Sequence, residues 1–242
     1  MSPQSPGIRV FLALAASVAL GVNSDAATVA LGAAASFGVL AAESIVDTGG
    51  TSTVIGDVGL SSGSSIGVLP VNVTGTLYLD NPVPNQARTD AMSVYTTLVG
   101  LDPTSPVVPL AGTLAPGVYF FEDTALLTGD LTLDGAGQYV FQIGSGLTTM
   151  GDASIILANG AAANDIFWLV GSSATLGAGA EFSGTLIAIA SITVGTGTSI
   201  DGRLLAMDGS VTLANNTIVI PEPTTAALGL LATLVFCSRR RR

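Results

Sequence analysis

Two sets of side chains in this sequence have types and spacings that could do chemistry. The first is a series of threonines, most held between two apolar residues: Leu131-Thr132-Leu133, Leu147-Thr148-Thr149, Ala174-Thr175-Leu176, Ile192-Thr193-Val194 and Val211-Thr212-Leu213. Each carries a hydroxyl and a methyl on one β-branched carbon, so a regular series of them makes a stiff array that can both hydrogen-bond water and restrain it. The second set is carboxylates: Asp130, Asp134, Asp152, Asp165, Glu181, Asp201 and Asp208. Paired carboxylates can hydrolyse glycosides, and clustered ones can hold calcium. Here the chain offers no His or Lys as a base beside them and few aromatics to stack a sugar ring. Most of these acids adjoin Gly or Asn, as turn residues do. No EF-hand loop or Gly-Gly-x-Gly-x-Asp repeat is present. The expectation is a protein that is not an enzyme and uses no metal or cofactor.

The threonines need an element that repeats. They stand 16, 27, 18 and 19 residues apart, and the long step contains the Gly- and Asn-rich run from Leu157 to Asp165, which reads as a loop insertion. Without it the period is near eighteen. A second large apolar residue follows seven positions after three of them: Ile155, Phe182 and Ile200. A fixed period with one strand-like triplet per repeat is the mark of a solenoid, in which each repeat buries its apolar face only against its neighbours. Side chains alternate along a strand, so the flanking Leu, Ile and Val point inward and each Thr points out. Stacked coils are expected to set all five in one row, about 4.8 Å apart. Gly129, Gly135, Gly144, Gly171, Gly184 and Gly202 fall at turns, where positive φ favours glycine.

Composition narrows the partners. Of the 242 residues 48% are apolar and only 10% charged, with a formal net charge of −10. Between residues 28 and 220 only Arg88 and Arg203 offset the acids. Nucleic acids and anionic membranes call for a basic surface, so neither is expected as a partner. The one cysteine, Cys237, lies in the C-terminal tail, so no disulfide forms within the chain.

Taken in order, residues 1–27 read as a signal peptide: Arg9, an apolar stretch from Val10 to Leu20, then the small residues around Ser24-Asp25-Ala26. Residues 27–59 hold short β-rich segments, expected as one or two more coils at the N-terminal end. The Ser-, Gly- and Pro-rich stretch from about 61 to 84 is expected to cover an end of the stack, where open strand edges invite aggregation. A helical period over about 86–98 puts Ala87, Ala91, Val94, Tyr95 and Leu98 on one face, with Asn85 as N-cap and Arg88, Thr89 and Ser93 or Thr96 outside. After a Pro-rich connector, Pro116-Gly-Val-Tyr-Phe-Phe begins the main run of coils. Of Phe167 and Trp168, alternation turns one inward.

Residues 221–242 join Pro221-Glu222-Pro223, an apolar run and Arg239, Arg240, Arg241 and Arg242. This order resembles the PEP-CTERM sorting signal of bacterial surface proteins. The resemblance implies recognition by an exosortase, removal of the tail, only transient membrane contact, and a place at the cell surface or outside it, often alongside exopolysaccharide.

The body, residues 28–220, resembles the bacterial and fungal ice-binding protein family, once known as a domain of unknown function. The motifs are Leu31-Gly-Ala-Ala-Ala-Ser-Phe-Gly-Val-Leu-Ala, Gly56-Asp-Val-Gly, Leu114-Ala-Pro-Gly-Val-Tyr, Leu127-Thr-Gly-Asp-Leu-Thr-Leu-Asp, Val140-Phe-Gln-Ile-Gly-Ser, Asn164-Asp-Ile-Phe-Trp-Leu-Val-Gly, Ser191-Ile-Thr-Val, Gly202-Arg-Leu-Leu-Ala and Val211-Thr-Leu-Ala-Asn-Asn-Thr-Ile. The resemblance implies an all-β-dominated fold, a right-handed β-helix of triangular cross-section with one long α-helix alongside, and a flat face that adsorbs to ice. The candidate ice-facing residues are Thr132, Thr148, Thr175, Thr193 and Thr212. Thr196 and Ser199 join them, because Thr196-Gly197-Thr198-Ser199 approaches a Thr-Gly/Ala-x-Thr/Asn element associated with such faces. Asp152 and Glu181, at the equivalent place in other coils, are expected to interrupt the array. A non-catalytic adhesion or matrix role at the cell surface, bound to exopolysaccharide, is the alternative.

Overall fold

The computed structural model describes residues 29–61, 72–79, 81–104 and 109–221. The expected signal peptide lies outside these residues, as do the sorting tail beyond Pro221 and positions 62–71 and 80 of the 61–84 insertion.

Between Gly112 and Val219 the chain winds through three sides in a repeating order. Leu131–Asp134, Tyr139–Ile143 and Leu147–Thr149 make one coil, and Ile155–Ala158, Ile166–Val170 and Ala174–Leu176 make the next. The pairings between these two coils are parallel and in register. The side containing Tyr139–Ile143 is called here the first, that containing Leu147–Thr149 the second, and that containing Leu131–Asp134 the third. In the next two coils, strands Glu181–Ala188 and Ser199–Ala206 pass from the third side to the first without a loop. Residues 185–188 pair with 167–170, while Glu181 bridges to Ser154. The result is an 11-stranded sheet shared by the first and third sides, a six-stranded second side and a three-stranded remainder of the third.

The apolar residues flanking each Thr triplet fill the space between the three sides. Leu131, Leu133, Leu147, Ile192, Val211 and Leu213 all belong to one buried cluster with Phe141 and Trp168. Along its axis aromatic rings stack coil upon coil: Tyr119 on Phe141 at 5.3 Å and Phe141 on Trp168 at 3.9 Å. Trp168 thus points inward while Phe167 lies under the helix, both buried.

Tyr139 is fully buried on the same sheet, its hydroxyl donating to the Gly135 carbonyl at 3.0 Å. Burial first, then the nearby Tyr119 and Asp134, push its phenol up from 10.0 to about 12. The folded state therefore holds this proton where the unfolded chain has lost it. The resulting stability is full below pH 10 and drains away as pH rises toward 12. Urea unfolding across that range is expected to show the wild type losing stability faster with pH than Tyr139→Phe. Parallel pH curves for the two proteins would contradict the assignment.

The N-terminal coils are not where chain order puts them. Phe37–Ala41 pairs with Ser199–Ala206, Ile45–Asp47 with Val211–Leu213, and Thr53–Ile55 with Thr217–Val219. The first coil is therefore laid on the last one, at the C-terminal end of the stack. Asp57–Leu60 is laid in turn on Phe37–Ala41, and Asn72–Val73 and Leu77–Tyr78, from the 61–84 stretch, pair with Thr53–Ile55 and Asp57–Leu60.

This arrangement explains the helix. After residue 79 the chain is at one end of the stack and must reach the other to begin at Gly112. Helix α1, Pro82–Val99, spans 18 residues, about 27 Å at 1.5 Å per residue. From Leu77–Tyr78 to Gly117–Phe121 there are seven steps between neighbouring strands, about 34 Å at about 4.8 Å each, so the helix covers most of the stack and the residues after it the remainder. The helix starts earlier than the periodicity predicts: Asn81, not Asn85, is the N-cap, accepting from the Val83 amide at 3.0 Å. Pro82 occupies the first helical position, where its missing N–H costs nothing. Ala87, Ala91, Val94 and Leu98 pack on Leu40, Phe167, Leu169, Ile187 and Leu205 of the first side. Where the helix ends, the buried Gln142 amide donates to the carbonyls of Leu98 and Leu101 at 2.8 and 2.9 Å. Arg88, expected outside, is half-buried and bonds to the Met207 carbonyl and the Asp208 carboxylate.

Candidate functional site

The three sides differ in what they present. The first is covered by α1 and the short helix Gly32–Ser36. The third carries Asp130, Asp134, Glu181 and Asp201 among its outward or bordering positions. Glu181 accepts from the Ser154 hydroxyl and Asp134 from the Asn159 amide. Burial raises the Asp201 carboxyl above its usual range, partly countered by Arg203. These acids are spread over the stack, and among the described residues no three potential metal ligands gather.

The second side is open, with the exposed Glu43 carboxylate at its edge, where it accepts from Ser210 Oγ at 3.4 Å. Its central outward column runs Leu126, Thr148, Thr175, Thr193, Thr212 and Val46, one residue per coil and in register. Two residues earlier in each coil stand Thr124, Gly146, Ser173, Ser191, Ser210 and Ser44; two residues later come Thr128, Met150, Gly177, Gly195, Ala214 and Thr48. None of these eighteen positions carries a charge. Neighbours along the stack are about 4.8 Å apart and neighbours along a strand about 6.7 Å apart, so the side chains form a rectangular net. The middle three coils read Ser-Thr-Gly, Ser-Thr-Gly and Ser-Thr-Ala, giving a surface of small groups with one methyl and one hydroxyl at each central node. Met150 and Leu126, about half exposed, rise at one end.

Rigidity comes from the corner leading to the third side. Thr198 is 1% exposed and its single hydroxyl proton faces the carbonyls of Gly177 and Gly195, at 2.7 and 2.9 Å from the oxygen. Asn216 beside it donates to the Gly195 carbonyl at 2.7 Å, and its own amide donates to Ser52 Oγ at 2.9 Å. Ser52 in turn donates twice to the buried Asp47 carboxylate. This chain of buried polar groups ties four coils together, and each named bond would be costly to leave unmade.

Of the seven candidate residues, Thr148, Thr175, Thr193 and Thr212 form the expected row. Thr132 does not join it: this residue pairs with Thr113 and Ile156 on the third side. Ser199 is also on the third side, between Glu181 and Thr217. Thr196 lies in the corner between, next to the buried Thr198. Asp152 and Glu181 border the net without entering it. Asp152 sits in the same corner with φ 58, and Glu181 faces out from the third side. The serine column and the Gly177, Gly195 and Ala214 column were missed. The signal for them was present, because Ser173, Ser191 and Ser210 repeat with the same steps of 18 and 19 as the threonines two residues on.

This geometry has known counterparts. A family model described as "Ice-binding-like" matches residues 39–219. The chain is 41% identical to an ice-binding protein of Nostoc sp. (strain HG1), over 96% of this chain and 95% of that one. Among solved structures it resembles an ice-binding protein from the Antarctic ascomycete Antarctomyces psychrotrophicus, with TM-score 0.75 and 39% identity over 81% of this chain and 100% of the other. An ice-binding protein from an Antarctic biological consortium gives TM-score 0.76 and 34% identity over 92% and 96%. A match of this extent, with relatives of this identity, means that the chain belongs to the ice-binding-like family.

Proposed function

We propose that this protein adsorbs to ice through its second side, a non-catalytic act with the crystal surface as its partner. The observation that carries this is the net centred on Thr148, Thr175, Thr193 and Thr212, whose eighteen positions carry no charge, on a side that the helix leaves open and that Glu43 borders without entering the net. Single small groups hold a crystal weakly, so adsorption depends on summing many contacts made at once. A net whose nodes are already fixed loses little entropy when it binds. An ionised carboxylate within it would keep its own hydration shell, which is why the positions of Asp152 and Glu181 matter.

The same proposal includes a right-handed, triangular β-solenoid, which the three sides and the solved relatives support. It also includes export by a signal peptide over residues 1–27 and sorting by the PEP-CTERM-like tail, with signal peptidase and an exosortase as processing partners. The carrying motifs are those of the sequence, and an exported protein would meet ice outside the cell.

The test is grain growth in a frozen sucrose film. Wild-type protein at micromolar concentration is expected to hold ice grains small, and Thr175→Tyr with Thr193→Tyr to let them coarsen as in buffer. Thr132→Tyr, on the third side, should behave as wild type. Equal coarsening with wild-type protein and with none would end the ice reading. Loss in Thr132→Tyr alone would move the face.

A further inference from the structure

The serine column on the second side is not simply more of the threonine net, because its oxygens are already engaged. In a regular strand, successive amides point alternately to the two neighbouring strands. At the corner entering the second side this alternation breaks. The Ala190 amide donates to the Ser172 carbonyl at 2.9 Å, and the next amide, Ser191, also faces that coil, donating to Ser173 Oγ at 3.4 Å. One coil on, the Ser210 amide donates to Ser191 Oγ at 3.1 Å. The Ser44 hydroxyl then donates to Ser210 Oγ at 2.8 Å. Ile192 and Val211, directly after the serines, turn the other way and donate to the carbonyls of Ser210 and Ser44, both at 2.9 Å. Ser173 and Ser191 thus each supply a side-chain acceptor where the pleat supplies no carbonyl. Ser210 accepts from the Ser44 hydroxyl and donates to the Glu43 carboxylate at 3.4 Å, and the oxygens link four coils along the stack.

The bonded serine is two residues before the net's central residue: Ser173 before Thr175, Ser191 before Thr193, Ser210 before Thr212 and Ser44 before Val46. We infer that Ser173, Ser191 and Ser210 are positioning residues for the adsorbing row. Their side-chain oxygens fix the height at which each coil enters the second side, and so the spacing of the threonines that follow. This rests on the ice reading above and deepens it. The threonines meet the crystal, and the serines hold them in step.

The experiment uses the full chain with Ser173→Ala and Ser191→Ala combined, and with Ser173→Thr and Ser191→Thr combined. Three quantities are measured: the lowest concentration that holds grains small, the thermal midpoint, and exchange of the Ser191 and Ser210 amides by NMR. The alanine pair is expected to speed exchange at those two amides and raise the threshold several-fold while remaining folded far above the assay temperature. The threonine pair, which keeps both oxygens, should restore both readouts. A threshold unchanged in the alanine pair overturns the inference whatever the exchange shows, because positioning would then be irrelevant to adsorption. A raised threshold with unchanged exchange also overturns it, assigning the serines to direct contact. Wild-type protein inactive in the same film brings down the ice reading itself, visible before any variant is compared.

Discussion

Gly202→Ala is expected to leave no folded protein. Gly202 stacks on Gly184 where the two long strands run unbroken from the third side to the first. A Cβ on Gly202 would stand 1.9 Å from the Gly184 carbonyl oxygen and 2.7 Å from its carbon. Those are backbone atoms of the neighbouring coil, held there by pairing on both sides, so relief would require parting two coils along the whole corner. Gly184 cannot yield, because it has φ +113 and a space closed by Ile166. The cost should exceed the ~4–5 kcal/mol that marks exceptional substitutions. The measurement is soluble yield and far-ultraviolet circular dichroism beside Gly129→Ala, whose added Cβ meets nothing within 4 Å. Gly129→Ala should fold as wild type. A folded Gly202→Ala of similar thermal midpoint would show that the corner relaxes far more easily than its contacts suggest.

Trp168→Ala should be the most damaging change to the core that still permits folding. The ring is fully buried, stacked on Phe141 at 3.9 Å with an angle of 8° and tilted against Phe182 at 5.3 Å. Its Nε1 donates to the Ser183 carbonyl at 3.0 Å. Truncation removes two ring contacts and an indole-sized volume from coils that cannot collapse inward while their strands stay paired. Losses of about 3–5 kcal/mol follow from such truncations, which in a protein of this size lowers the thermal midpoint by on the order of 10 °C. Trp168→Phe keeps the stack and gives up the hydrogen bond, about 1–3 kcal/mol. Calorimetry of the two variants separates the contributions. Equal loss in both would assign the effect to the Ser183 carbonyl instead of to packing.

The sequence made the solenoid legible because its period and its inward residues are written in the same triplets. It could not assign a triplet to a side. Leu131-Thr132-Leu133 and Ile192-Thr193-Val194 have one pattern, since strands on every side alternate in the same way, and only the pairing partners separate them. Glu181 looked like an interruption of the row for the same reason: a four-residue corner turns it onto another side. The helix start was hidden by chemistry that also marks loops, an Asn followed by Pro82 and Pro84. Among the six turn glycines, positive φ occurs at Gly135 and Gly184. At Gly144, Gly171 and Gly202 the requirement is close approach of the next coil, which no single repeat reveals.

The laying of the first coil on the last has a consequence in time. Ser44 meets Ser210 across 166 residues, and Thr48 meets Leu213 across 165. Contacts this distant in sequence come late and slow a fold, because the intervening chain must be closed before they return any stability. Residues 37–55 leave the ribosome well before their neighbours at 199–219 are made. The coil made before the others in the stack is thus the last to find its place, and the stack closes only after residues 199–219 exist.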